Sequence, residues 1–390
     1  MAIGVVTNES SLALVAEVTE GTYVAPSSGA DYVEVLEGGL EFNKTREELE
    51  RNLLSSTVEG EASRVGIADV TGTVNVELKA NATEGDAPQS MDILMRSLLG
   101  GKRQITSDQT SGTSHTATRI NFADTSDFQI GDCVLVKETG AFEVRPISDI
   151  SANSYIEFPI ALENGAPSDN VVVTQVTTYY HDTTNSITFS AEHNIGSEAI
   201  MQQVAGLRAV SASFENISVG QVPNVSFAVQ GLDLDRLDQD ASYTPTFSDG
   251  LPPVTLSSCA WIGGTKRAYT ELTLNIENTV NYIQSACDED GRIGSRITDQ
   301  TVTAAINPYL DSSNLDEWND FNNNDDTSLF WYSYNPTGTA GEFEEVVAFY
   351  LPQAKITAAP VADLDGIATQ ALEMKAFRSS GNDSFFISMI

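Results

Sequence analysis

The stretch VSFAVQGLDLD, residues 225–235, alternates Val225, Phe227 and Val229 with small or polar residues before it runs into acids. A period of two marks a strand with one buried face. The same cadence returns at ALEMKAFRS, 371–379, close to the end of the chain. Working upstream from these two anchors, the neighbours recur in one order. GLRAVSASFENIS from Gly206 lies over YLPQAKITAAPVA from Tyr350, with apolar positions 210, 212 and 214 over 354, 356 and 358. DVTGTVNVEL from Asp69 lies over DQTVTAAINP from Asp299, placing Val74 and Val76 on Ala304 and Ile306, and LEFNKT from Leu40 lies over LTLNIENT from Leu272.

Between these strands each copy carries one helical signal. In DAPQSMDILMRSLLGG, Met91, Leu94, Met95, Leu98 and Leu99 fall at helical spacing, with Asp86 as a cap, Pro88 in the first turn and Gly100 at the close. Its counterpart is NLDEWNDF, where Asn314 and Glu317 form a capping-box pattern and Leu315, Trp318 and Phe321 share a stripe. Five elements in the same order, a lone helix among them, read as a duplicated β module. The first copy is expected at 1–102 with 183–250, the second at 251–390.

Residues 103–182 have no counterpart. They read as several short strands, Arg119–Phe122, Cys133–Val136, Phe142–Ile150, Tyr155–Ile160 and Val171–Tyr180, and so as a small β-barrel inserted in a loop and projecting from the main body. The expected fold class is therefore mainly β: two tandem sandwich or barrel modules, each with a flanking helix, plus the insert.

The 390 residues include 55 Asp and Glu against 20 Lys and Arg, a formal net charge of −35, with 41% hydrophobic and 19% charged residues. This is a globular composition. Such a surface repels phosphate at range, which argues against sequence-specific DNA binding. Met1–Ser11 lacks the features of an export signal and no apolar run reaches the roughly 18 residues of a membrane span, so maturation in a cytoplasm is expected. Cys133, Cys259 and Cys287 show no CxxC pair and read as small buried apolar residues.

Catalytic and metal motifs do not emerge. His115, His181 and His193 stand at no metal-ligand spacing, and GxSxG, GxxxxGK[ST] and HExxH are absent. The acidic clusters LDLDRLDQD, CDEDGR and ADLDG do not complete a calcium loop and read as Asp-rich turns. No catalytic residue, metal or cofactor is expected. The segments KTREELERNLLSSTVEGEASRVG, 44–66, and NTVNYIQSACDEDGRIGSR, 278–296, match one another and read as long loops at hairpin tips, with a short helix as the alternative for the first.

The order of parts resembles the tail tube proteins of long-tailed, non-contractile bacteriophages. VAEVTEGTYVAPSSGADYVEVLEGGLEFNKTREELERNLLSS, GIADVTGTVNVELK, the helix ending in MRSLLGG, SFAVQGLDLDR, PPVTL, LTLNIENTVNYIQSACDEDGRIGSRITDQTVTAAINPY, FYLPQAKI and FISMI carry the resemblance, which covers nearly the whole chain apart from the insert. It implies a structural virion protein whose subunits pair strand edges into rings. With two modules per chain, three chains make a pseudo-hexamer, and the rings stack through the long loops into a conduit for DNA ejection. Implied partners are the chain itself, a tape measure protein and double-stranded DNA in the lumen without specific binding, and tail terminator and tip proteins. No membrane is involved, and assembly in the host bacterial cytoplasm ends in the virion tail.

The residues support this reading independently: open sheet edges are an aggregation hazard that ring closure removes, and a wall of carboxylates keeps a polyanion moving. The expected lumen acids are Glu34, Glu41, Glu77, Asp299 and Glu373. The expected inter-ring residues are Glu47, Glu48, Glu50, Arg51, Asn52 and Glu59 in the first loop and Asp288, Glu289, Asp290 and Arg292 in the second. Alternatives are a secreted or surface β-sandwich binding protein, which predicts an export signal and exposed aromatics, and a virion decoration protein.

Overall fold

The computed structural model describes residues 7–51, 62–182, 184–196, 199–247, 250–256, 258–287, 291–311 and 315–390. It is mainly β, with two α-helices among the described residues. Eight strands form its longest continuous surface: β1 (Leu40–Leu49), β2 (Arg64–Glu77), β3 (Met201–Ser218), β4 (Asn224–Gly231), β5 (Tyr269–Gln284), β6 (Arg292–Pro308), β7 (Phe343–Ala358) and β8 (Leu372–Ala376). All neighbours are antiparallel, in the spatial order β1-β2-β4-β3-β5-β6-β8-β7.

The first four strands and the last four share more than their order. Leu40 faces Val74, Val74 faces Phe227 and Phe227 faces Ala212. In the second half Leu274 faces Ala304, Ala304 faces Met374 and Met374 faces Ile356. The alternation read at Val225, Phe227 and Val229 is thus one row of a repeated pleated surface, and all three are buried. The strand pairing makes Leu40 the equivalent of Leu274, two residues from the Leu272 match suggested by sequence.

Behind each four-strand group lies a second, open sheet, so the architecture is a sandwich whose sheets do not close into a barrel. In the first half, Ser11–Ala16 and Phe189–Asn194 pair outward from the start of β3. In the second, Ser258–Ile262 and Thr327–Pro336 do the same from β7. α1 (Gln89–Leu98) buries Met91, Leu94, Met95 and Leu98 in the core. Its N-cap is Pro88, without a side-chain bond; Asp86 accepts from Gln104 instead, while Gly100, at φ +88°, closes the helix as expected. α2 (Leu315–Asn323) departs from its predicted stripe: only Phe321 packs on the core, and Leu315 and Trp318 are exposed. Its Glu317 is buried in an ion pair with Arg267 at 2.6 Å; the expected cap, Asn314, lies outside the described residues.

The inserted strands form one three-stranded and one four-stranded sheet. They do not project freely. Their apolar residues share a cluster with Trp261, Phe330, Tyr332, Phe343, Tyr350 and Phe386 of the second half. Gly131 approaches so closely that a Cβ there would lie 2.4 Å from the Phe386 ring, and Arg145 lies over Trp261 at 5.1 Å. At the base, Gly100–Ile105 pairs with Val176–His181, which pairs in turn with Phe386–Met389.

Candidate assembly surfaces

One face of the eight-strand sheet covers the core; the other is open. Along β2, Val70, Val74 and Val76 point inward, so Asp69, Thr71, Thr73, Asn75 and Glu77 point outward. Register carries this face across the sheet. Glu41 is opposite Thr73, Glu277 opposite Thr301, Thr279 opposite Asp299, and Ala305 opposite Glu373. The open face thus collects Glu41, Asp69, Glu77, Glu215, Glu277, Asp299 and Glu373, against Lys355 and Lys375. Short Ser, Thr and Asn side chains fill most of the rest. Among the expected lumen acids Glu34 stands apart: it lies in the loop before β1, off the strand ladder, and pairs with the ammonium of Lys79.

The two halves meet strand to strand. Ser211, Ala212, Ser213 and Phe214 of β3 face Glu277, Ile276, Asn275 and Leu274 of β5. A polar clamp, buried at Arg208 and Ser295, backs this joint. Arg208 donates from Nε to Ser295 Oγ at 2.9 Å, the Ser295 hydroxyl donates to Glu20 at 2.9 Å, and Arg296 donates to Glu20 at 2.6 Å. Burial alone would raise the Glu20 carboxyl, but the bonds from Arg296 and Ser295 and the charge of Arg208 outweigh it and hold the group below its ordinary value. Asn278 adds a bond of 2.8 Å to the Leu98 carbonyl at the end of α1. No motif in the sequence announces this clamp, because its members come from three distant segments.

At the outer flanks the equivalent edges lack strand partners among the described residues. β1 pairs only with β2, and beyond Ala354 β7 pairs only with β8. Gly39 accepts from Asn75 N–H, so by strand alternation Leu40, Phe42 and Lys44 turn their peptide groups to the empty side. Phe377 donates to the Gln353 carbonyl, so the Ile356 peptide likewise faces outward.

Where they are described, the segments expected to be long loops continue the strands: β1 runs to Leu49, β2 starts at Arg64, and β5 and β6 reach Gln284 and Arg292, while residues 52–61 and 288–290 lie outside the described residues. Cross-strand pairing satisfies the backbone there, which a mobile loop would not do. Glu47 and Glu48 are exposed at the end of β1, and Glu50 and Arg51 follow, also exposed. Asn52, Glu59, Asp288, Glu289 and Asp290 lie outside the described residues. Arg292 is used inside the chain: it stacks over Tyr282 at 3.8 Å, donates to the Ala68 carbonyl at 2.9 Å and pairs with Asp69.

A long polar sheet face with bare flanking edges is the geometry of a subunit that repeats. The sequence family described as phage tail tube protein matches residues 7–375. The chain belongs to that family. No characterised protein matched it in a sequence comparison. As a tail tube protein it is a structural component of the phage tail, and no helix among its described residues is long and apolar enough to cross a membrane. Among those residues no group of three potential ligands is arranged to hold a metal. ADLDG forms a tight hairpin turn, with Asp365 and Gly366 both at positive φ. His193 is buried against Gln202 at 3.0 Å; of the cysteines expected to be buried, Cys133 is, Cys259 is partly so, and Cys287 is instead exposed.

Proposed function

We propose that three chains close into a ring of six tube modules and that the rings stack into the tail tube, an acidic conduit for DNA during ejection. The modules are residues 1–102 with 183–250 and residues 251–390, and 103–182 is an insertion. The observation that carries this reading is the joint between β3 and β5. It is an edge-to-edge contact between two copies of one four-strand unit, and the eight-strand sheet is flanked by the two halves of a second such contact: the open edge of β7 and the open edge of β1. Transferring the joint pairs Ile356 of one chain with Phe42 of the next, the two residues whose peptide groups already face outward. Three such contacts close the circle and leave no exposed edge.

In the ring the open face lines the bore. Its carboxylates and short polar side chains offer duplex DNA neither a row of cations nor aromatic stacking surfaces, so the polyanion passes without being held. A tape measure protein occupies the bore before ejection, and terminator and tip proteins bind the exposed end rings. Assembly in the host cytoplasm precedes incorporation into the virion. Negative-stain microscopy of the purified chain tests the reading directly: hollow tubes with three-fold end views are expected, and monodisperse monomers at high concentration would refute it.

A further inference from the structure

We infer that the last turn of α2 is seated against β1 of the next chain, where Lys44 and Arg46 bind its carboxylates and its helix end. The inference rests on the ring reading above and names a second contact of that joint, behind the strand pairing. Inside the chain the joint between β3 and β5 already carries such a contact. The end of α1 reaches past its own module, and its Leu98 carbonyl accepts from Asn278 Nδ2 of β5 at 2.8 Å. Asn278 is buried there, and its side-chain oxygen accepts from Gln300 at 2.8 Å.

Both partners of that contact have equivalents at the outer flanks. Leu40 corresponds to Leu274, so Lys44 corresponds to Asn278, and the two stand opposite Val70 and Gln300 in matching register. α1 closes at Gly100, φ +88°, and α2 at Asn324, φ +58°, which makes Asn322 the counterpart of Leu98 and Asp320 the counterpart of Arg96. The charges are exchanged between the two joints. α1 carries its own cation, Arg96, paired with Asp92 at 3.3 Å, and meets the neutral Asn278. α2 has no basic residue in its last turn; Asp320 stands there instead, with Asp325 and Asp326 just beyond. Lys355 of the same chain pairs with Asp326 at 2.8 Å. Burial and the charges of Asp325 and Asp316 push the Asp320 carboxyl above its ordinary value, although Thr327 bonds it. The macrodipole adds about half an elementary negative charge to this end.

On the other flank, Lys44 is held at the bare edge of β1, donating to Asp233 at 2.5 Å and to the Leu234 carbonyl at 3.0 Å. Arg46, two residues on and on the same face, is exposed. In a chain of 55 acids and 20 bases, two cations on the helix side of an open edge complement an acidic helix end. The two sites lie at opposite flanks of the eight-strand sheet, roughly 34 Å apart along it, and so meet only between copies.

The test begins with the wild-type chain, treated with a water-soluble carbodiimide, which joins an amine to a carboxylate only at contact; linked peptides are read by mass spectrometry. Lys44 to Asp233 is the internal control, expected in monomers and rings alike. Lys44 to Asp320 or to Asp325 is expected in rings alone. Rings that give the control link without the second overturn the inference and leave the ring reading standing, whereas a preparation without rings overturns the ring reading and the inference with it. Variants read the same contact by its strength. Asp320→Asn with Asp325→Asn, and separately Lys44→Met, are each expected to raise the protein concentration needed for half assembly about tenfold. All three changes together should add little more, because either set removes the same contact. Effects that multiply to about a hundredfold, or an unchanged midpoint in either variant with native melting of the monomer, overturn the inference.

Discussion

The proposed joint between chains makes a claim at the level of single residues. Ser211 faces Glu277 inside the chain, and the equivalent residues by shared register are Lys355 on β7 and Asn43 on β1. Because Ile356 and Phe42 turn their peptide groups toward the joint, the adjacent pair Lys355 and Asn43 falls at a position that is not hydrogen-bonded. Cα atoms there stand about 4.5 Å apart, inside the roughly 4.4–6.8 Å range that a disulfide spans. Lys355→Cys with Asn43→Cys, in a Cys287→Ser background that removes the exposed native thiol, is expected to oxidise between chains. Since each chain offers one of each partner, the product is a closed circle of three. It should run near about 126 kDa, three times the 41.9 kDa protomer, with dimer as the sole intermediate. Lys355→Cys with Glu41→Cys is the control, because that diagonal pair lies about 7–8 Å apart and should not link. Ser211→Cys with Glu277→Cys should close within one chain. A ladder rising to six, equal linking in the diagonal control, or rings that remain unlinked while the intrachain pair closes would each refute the transferred register.

Four further outcomes follow from the packing and charge. Deleting 106–175 bares Trp261, Phe330, Tyr332, Phe343, Tyr350 and Phe386, an exposure of roughly 10 kcal/mol at 1.5–3 kcal/mol per side chain; the product should be insoluble, and a soluble monomer with native melting behaviour would contradict the shared core. Gly131→Ala probes the same seam more gently and should cost about 2–4 kcal/mol in urea unfolding, from its φ of +91° and the collision with Phe386. Glu20→Gln should lower stability by about 1–3 kcal/mol at neutral pH. The folded-state pKa of Glu20 is depressed below 4.5, so its contribution is complete above the unfolded value and is lost as pH falls through the folded one. The gap between Glu20→Gln and wild type should therefore narrow below about pH 4.5, and a gap that stays constant down to pH 3 excludes the assignment. Reversing Glu41, Glu277 and Glu373 to Lys should make assembled tubes retain duplex DNA with a steep salt dependence; unchanged, negligible binding would remove these residues from the bore.

What sequence could convey about this protein was local and periodic. Val225, Phe227 and Val229, Val74 and Val76, and the stripe on α1 each announce a buried face through spacing alone, and lining up two such sets located both four-strand groups. The clamp of Glu20, Arg208, Ser295 and Arg296 was silent, because its meaning lies in distances between segments rather than in any pattern along one. α2 misled for a related reason: its stripe of Leu315, Trp318 and Phe321 has the helical period, but period does not say whether a partner lies beneath, and only Phe321 has one.

The position of the insert had a signal that the two-period reading passes over. In SLFWYSY, 328–334, and VVAFYL, 346–351, apolar side chains occupy successive positions instead of alternate ones, the mark of a strand buried on both faces. Leu329 and Trp331 face the main core while Phe330 and Tyr332 face the other way. The matching strand of the first half, FSAEHN, carries Ser190, Glu192 and Asn194 on that second face. There Glu192 accepts hydrogen bonds from Tyr23, Tyr32 and Ser242, so nearby polar segments of the chain are sufficient cover. An apolar outer face needs an apolar lid, and the insert, a long stretch without a counterpart elsewhere in the chain, supplies one. Comparing the second faces of the two equivalent strands therefore assigns the insert to the second half, although it branches from the first.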